Sequence, residues 1–229
     1  MRLNFLIIVA YKHVIWDWNG TLMDDSWLCL EIMNGILTRR GREPIQLEDY
    51  RENFQFPVQR YYDWLQFDPS EDPFSKVSHE FIDAYEQRRT ECRLFDGVVD
   101  ALAYWHQDGI EQVVLSAYRH NTLIEIVTHY GLTGYFDRLI GLDNIYAEGK
   151  SDLAESHAAS LRHEPHEVLL IGDTVHDAEV AAKIGADCVL IADGHNSLPR
   201  LLATGCPVVP TILDLEQVLD LKTRALRAS

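Results

Sequence analysis

Four short apolar runs recur along the chain, at residues 14–18, 112–116, 168–172 and 188–192, and each ends in polar or small residues. Runs of about four to eight such residues bounded by turn signals suit the strands of a parallel sheet covered on both faces. Residues 98–107, 122–130, 151–162 and 178–184 instead repeat their apolar positions at the helical period. A weak strand is expected at 208–209 and a last helix over 213–221. Residues 25–93 break this rhythm. Only helical patterns occur there, at 27–38, 47–54, 58–65 and 74–91, punctuated by Pro57, Pro69 and Pro73. The stretch is rich in aromatics (Phe54, Phe56, Tyr61, Tyr62 and Trp64 among them), and helical spacing places most of them in a core of their own. The expected architecture is α/β: a doubly wound, Rossmann-like parallel sheet from residues 1–24 and 94–229, with an all-helical cap, residues 25–93, inserted after the first strand. Ligands of such sheets bind at the carboxyl ends of the strands.

Length and composition narrow the function. At 229 residues, 47% apolar and 10% aromatic, the chain can bury a sizeable core. It carries 20 Lys+Arg against 36 Asp+Glu, a net charge of −16, and its only basic clusters are pairs such as Arg39-Arg40 and Arg88-Arg89. That balance argues against nucleic-acid and anionic-membrane partners, which need clustered cations. Four widely spaced cysteines read as reduced thiols of a cytoplasmic protein. Residues 3–10 are apolar but too short for a signal sequence or a bilayer span, and a short extra strand or an extension is expected there.

Two acidic constellations sit at expected strand ends. The first strand closes on Asp17-Trp18-Asn19-Gly20-Thr21, where Asp17 is suited to act as a nucleophile, a metal ligand or a helix cap, and Gly20 permits a turn that bares backbone N–H groups. The third apolar run leads into Gly172-Asp173-Thr174-Val175-His176-Asp177, whose carboxylates suit a hard divalent cation or, singly, an N-cap. Ser116 ends the second strand and Lys150 precedes a helix; a hydroxyl and an ammonium there suit phosphate oxygens.

In this order the four positions resemble the haloacid dehalogenase-like hydrolase superfamily. Its Asp-x-Asp-Gly-Thr motif is matched by Asp17 to Thr21 with one change, its Ser/Thr by Ser116, its Lys by Lys150, and its Gly-Asp-x-x-x-Asp by Gly172 to Asp177. The likeness extends to the helical insertion, similar to the small cap of phosphoglycolate phosphatases and β-phosphoglucomutases. It implies Mg²⁺-dependent hydrolysis of a small phosphorylated metabolite through an aspartyl phosphate on Asp17. The implied metal ligands are Asp17, the Asn19 carbonyl, Asp173 and Asp177, the last directly or through water. Ser116 and Lys150 would neutralise phosphate oxygens, with Gly20, Thr21 and Ala117 beside the substrate. Arg60 and Arg119 are the candidates for its distal group.

The departure is Asn19, where the family's phosphatases usually carry the Asp that acts as general acid and base. An amide exchanges no proton near pH 7, and that assistance is typically worth about 10²–10⁴-fold. Three readings stay open: a phosphatase that moves protons through water, His176, His120 or a substrate group; a slow or silent relative that binds a phosphometabolite or regulates; and different chemistry on the same nucleophile. Phosphonoacetaldehyde hydrolases resemble this motif but need a cap lysine, and Lys76 is the only one in this cap; dehalogenases would want an aromatic residue at position 19. Asp24 is expected to brace the nucleophile loop or the hinge, Trp18 to pack against the sheet, and His157, His163 and His166 to hold no metal.

Overall fold

The computed structural model describes residues 11–143, 146–147 and 149–215. Six strands form one parallel sheet: β1 (His13–Trp16), β4 (Glu111–Arg119), β5 (Arg138–Leu142), β6 (Val168–Gly172), β7 (Asp187–Ile191) and β8 (Val208–Val209), in the order β5-β4-β1-β6-β7-β8. Side chains alternate faces along each strand. Val14, Trp16, Val114, Leu169, Ile171, Val189 and Ile191 enter one core, while Ile15, Val113, Leu115, Leu170 and Leu190 enter the other. Helices α5 (Val98–Gln107) and α6 (His120–His129) cover the first face through Leu102, Trp105, Leu123 and Ile126. Helices α7 (Lys150–Ser160), α8 (Val175–Ile184) and α9 (Leu198–Leu202) cover the second through Ala154, Val180 and Leu201. This is the doubly wound fold expected from the apolar runs. The chain leaves β1 for β4 and β5 on one side and returns to β6 on the other, so the strand order reverses at β1 and opens a crevice at its carboxyl end.

Helices α1 (Ser26–Arg39), α2 (Leu47–Asn53), α3 (Gln59–Trp64) and α4 (Phe74–Arg88) lie between two short strands, β2 (Met23–Asp24) and β3 (Arg93–Leu94), which pair antiparallel. That two-residue ribbon, extended by the Phe95 N–H donating to the Leu22 carbonyl at 3.1 Å, ties the entry and exit of the insertion together. The insertion's buried Leu28, Ile32, Met33, Tyr61, Tyr62, Val77 and Tyr85 join the first core without a break.

Several expectations shift. β5 was not expected: Arg138 opens it, Gly141 interrupts it, and as an edge strand it is only partly buried. β4 runs three residues beyond position 116, with a register shift between Leu115 and Arg119. The expected helix at 213–221 begins with a single 3₁₀ turn, Ile212–Asp214, and lies beyond position 215 outside the described residues, as does the apolar segment 3–10.

Candidate active site

Asp17 follows β1, and its N–H continues the ladder by donating to the Ile171 carbonyl at 2.9 Å. Lys150, the first residue of α7, places its Nζ 2.8 Å from Asp17 Oδ1 and 2.6 Å from Asp177 Oδ1, all three side chains being buried. Asp177 Oδ2 also accepts from the N–H groups of Asp173 (3.2 Å) and Thr174 (3.0 Å) and from the Thr174 hydroxyl (2.6 Å). Gly172 is required here, because a Cβ would collide with the Asp177 carboxylate. Asp173 accepts the Thr21 hydroxyl at 2.7 Å and the His195 N–H at 2.6 Å.

Electrostatics separate the three carboxylates. Burial pushes the Asp17 carboxyl up, Lys150 opposes that, and the neighbouring Asp177 and Asp173 charges add to it. Asp173 is likewise pushed up, chiefly by burial. Asp177 lies below its ordinary value: burial is outweighed by Lys150 and by hydrogen bonds from Lys150 and Thr174. Lys150 therefore has its firm counter-ion in Asp177, while burial outweighs the opposing charge of Lys150 at Asp17 and of His195 at Asp173. Carboxylate oxygens of Asp17, Asp173 and Asp177 lie within 4.8 Å of one another, an all-oxygen donor set that fits a hard dication such as Mg²⁺.

Asn19 belongs to a second network. Its Nδ2 donates to Asp25 Oδ2 and to the Tyr85 hydroxyl, both at 2.8 Å, and Tyr85 donates onward to Asp25 at 2.7 Å. Asp25 also accepts the Gly20 N–H at 2.9 Å and lies 3.2 Å from His195 Nε2. The other ring nitrogen of His195 meets the Tyr50 hydroxyl at 2.8 Å. Burial alone would strip the His195 proton, but the Asp25 charge and hydrogen bond push the group up to about 9. Burial would raise Asp25, yet the His195 charge and the bonds from His195, Asn19 and Tyr85 hold it below its ordinary value. An aspartate at 19 would set a second carboxylate against Asp25, so the amide is the side chain this network accepts.

A cavity of about 320 Å³ opens above these groups. Asp17, Asn19, Ser116, Ala117 and Arg119 line it, and Lys150, Asp173 and Asp177 are buried behind Asp17. Three expectations change. Arg60 is exposed on α3 and does not line the cavity, because the helix turns Tyr61 and Tyr62 inward instead. Thr21 is fully buried and holds Asp173, away from the cavity lining. The Gly20 N–H is not bared; Met23 and Asp25 accept it. Asp24 braces the hinge through its pairing with Arg93 in the β2–β3 ribbon, while Asp25 braces the loop after β1. Lys76 is exposed, pairs with Asp72 at 3.0 Å and lies off the cavity lining. Trp18 is fully buried with its ring 6.1 Å from Tyr130, as a packing residue should be. His176 and His120 are half-buried and off the lining, the His176 ring lying 4.9 Å from Phe56. The sequence reading missed Asp25, His195, Tyr50 and Tyr85, and its one signal for them was the amide at 19.

The haloacid dehalogenase-like hydrolase family matches residues 14–191. The chain belongs to that family. Among relatives of this haloacid dehalogenase-like hydrolase, a phosphoglycolate phosphatase of Rhodobacter capsulatus is 26% identical over 190 residues, covering 81% of this chain and 86% of its own. A tyrosine-protein kinase of Mycobacterium tuberculosis is 29% identical over 128 residues, covering 56% of this chain and 44% of its own. In fold, the hydrolase is similar to a haloacid dehalogenase-like protein from Streptococcus pneumoniae, with TM-score 0.77 at 16% identity over 91% of this chain and 98% of that one. Among the described residues no helix is long and apolar enough to cross a membrane.

Proposed function

We propose that the protein is a Mg²⁺-dependent phosphohydrolase of a small phosphate monoester, working through an aspartyl phosphate on Asp17, with residues 25–93 as its cap. The observation that carries this reading is the buried Asp17 carboxylate on the floor of a cavity, 2.8 Å from Lys150 and beside Asp173. The Rhodobacter capsulatus phosphatase, similar over most of both chains, supports the same reaction class. Asp17, Asp173 and the Asn19 carbonyl would hold the cation. Asp177 would reach it through water, since Lys150, Thr174 and backbone N–H groups already occupy its oxygens. When bound, the cation would supply positive charge to the phosphate oxygens.

Asp17 attacks phosphorus in line, the bond from phosphorus to the ester oxygen breaks with its electron pair on that oxygen, and solvent protonates the departing anion to the alcohol. Lys150 and the Ser116 hydroxyl hold the equatorial oxygens. Water then attacks the phosphorus of the aspartyl phosphate, frees Asp17 and loses its proton to solvent or to the departing phosphate. A silent binding protein is the competing reading, and Asn19 is what favours it. The cytoplasmic setting belongs to the same proposal and rests on four free cysteines.

The test is a pre-steady-state time course of p-nitrophenol release from p-nitrophenyl phosphate with Mg²⁺. Sustained turnover that Asp17→Asn removes is expected. A burst of one product per site that then stalls would point to a phosphate trap, and no release at all would sink the hydrolase reading for this ester class.

A further inference from the structure

The roof of the cavity differs in kind from its floor. Lining residues contributed by the insertion include Phe54, Phe56, Tyr61, Phe74, Phe81 and Tyr85, with no Lys or Arg among them. Its two carboxylates are both engaged: Glu86 by the Tyr118 hydroxyl at 2.6 Å and by Arg89 at 2.8 Å, and Asp25 by Asn19, Tyr85 and His195. Arg119, contributed by β4, is exposed at the margin. The buried cation along the lining, His195, comes from outside the insertion and is already paired with Asp25 at 3.2 Å, so a second anionic group on the substrate meets no unpaired buried cation on the roof. The volume, about 320 Å³, is roughly twice the ~150 Å³ that accommodates one benzene ring.

Asn19 adds an independent constraint. Both hydrogens of its Nδ2 are committed, one to Asp25 and one to Tyr85, and the Gly20 N–H is committed to Met23 and Asp25. The nucleophile loop thus offers the departing oxygen no proton from Asn19. An aryl alcohol, like the tyrosine phenol of pKa about 10, leaves as its anion without help. An alkyl alcohol, nearer water at about 15.7, does so far less readily.

We infer that the substrate is an aryl phosphate: a phosphate monoester whose leaving group is an uncharged, aromatic, apolar alcohol. The inference rests on the phosphohydrolase reading and names its substrate class. The ring fills the aromatic roof, the P–O bond breaks toward the phenolate, and solvent protonates that phenolate after release.

The test compares kcat/KM with Mg²⁺ for 1-naphthyl phosphate, cyclohexyl phosphate and phosphoglycolate, with acetyl phosphate as a small, self-activated reference. A parallel calorimetric titration measures 1-naphthyl phosphate and phosphoglycolate binding to Asp17→Asn. The expected result is naphthyl phosphate ahead of both other esters by at least about 100-fold, and tighter than phosphoglycolate on the variant by at least about tenfold. Phosphoglycolate turned over as well as naphthyl phosphate, or cyclohexyl phosphate within about threefold of it, would overturn the inference and leave the phosphohydrolase reading standing. Acetyl phosphate left intact along with every ester would defeat that reading and the inference together. Equal binding of the two titrants by Asp17→Asn would overturn the roof's part in selection whatever the rates.

Discussion

At the floor of the cavity three carboxylates and one ammonium crowd together at the ends of β1 and β6 and the starts of α7 and α8. The roof is rich in aromatic and aliphatic side chains and comes from an insertion. The floor is fixed by the sheet, since the strand-order reversal puts Asp17 between Ser116 and Asp173 whatever covers them. The roof is fixed by helices that use the same aromatics as core and as lining, Tyr61, Tyr62 and Tyr85 among them. Each end can thus change without the other, and reaction type and substrate choice are separable in this fold. Between them runs the network of Asn19, Asp25, Tyr85, His195 and Tyr50, which joins the loop after β1 to α2 and α4.

The largest effect should come from the floor. Asp17→Asn is expected to cut turnover by at least about 10⁴-fold, the scale of losing a covalent nucleophile. Burial and neighbouring carboxylates push Asp17 up, so its ionised form opposes folding near neutral pH, and removing it should leave Tm of the metal-free protein unchanged or higher. A loss of turnover accompanied by a large drop in Tm would make Asp17 a structural residue.

Next comes the joint between floor and roof. Asn19→Asp alone would set two carboxylates against each other where Asn19 Nδ2 now lies 2.8 Å from Asp25, and a destabilisation of about 1–3 kcal/mol should follow. The exchange Asn19→Asp with Asp25→Asn keeps the charge count and moves the carboxylate beside the leaving oxygen. It should raise cyclohexyl phosphate turnover by up to about 10²–10⁴-fold and naphthyl phosphate turnover much less. Equal gains on both esters would mean that the amide is not what limits the alkyl ester.

The roof should give a smaller, more selective effect. Phe81 stacks on Tyr85 at 6.1 Å and lines the cavity. Phe81→Ala is expected to raise KM for naphthyl phosphate by about tenfold, from roughly 1–2 kcal/mol of lost ring contact, while acetyl phosphate is unaffected. Steady-state kinetics on the two esters would expose a loss common to both, which would assign Phe81 to folding.

The same division explains what could be read from the residues in order. The sheet was legible because strands buried on both faces are apolar without interruption; β5, an edge strand opened by Arg138, lacked that signature. The floor was legible because each acid follows its strand at a fixed local spacing. The joint was not, because Asp25, Tyr50, Tyr85 and His195 come from four separated segments with no mutual periodicity. The roof was legible as aromatic yet misjudged at Arg60, since adjacent helical residues point about 100° apart and Tyr61 took the inward direction.

The smallest effect tests whether buried charge is peculiar to the floor. At the opposite end of the sheet His13 Nε2 lies 2.9 Å from His157 Nε2, and Glu111 lies within reach of both His13 and His163. Burial, with help from His13 and Arg138, pulls His157 down to about 4, and burial also lowers His13. These imidazoles are neutral in the folded protein, whereas in the unfolded chain they take up protons below about pH 6.5. The unfolded state therefore binds more protons between that pH and about 4, and stability falls as pH drops through the window. For His157 at pH 5.5 the loss is about 1 kcal/mol, or about 2–4 °C in Tm. His157→Gln should remove that part of the difference between Tm at pH 7 and at pH 5.5. An unchanged difference would place the acid sensitivity in the carboxylates of the floor.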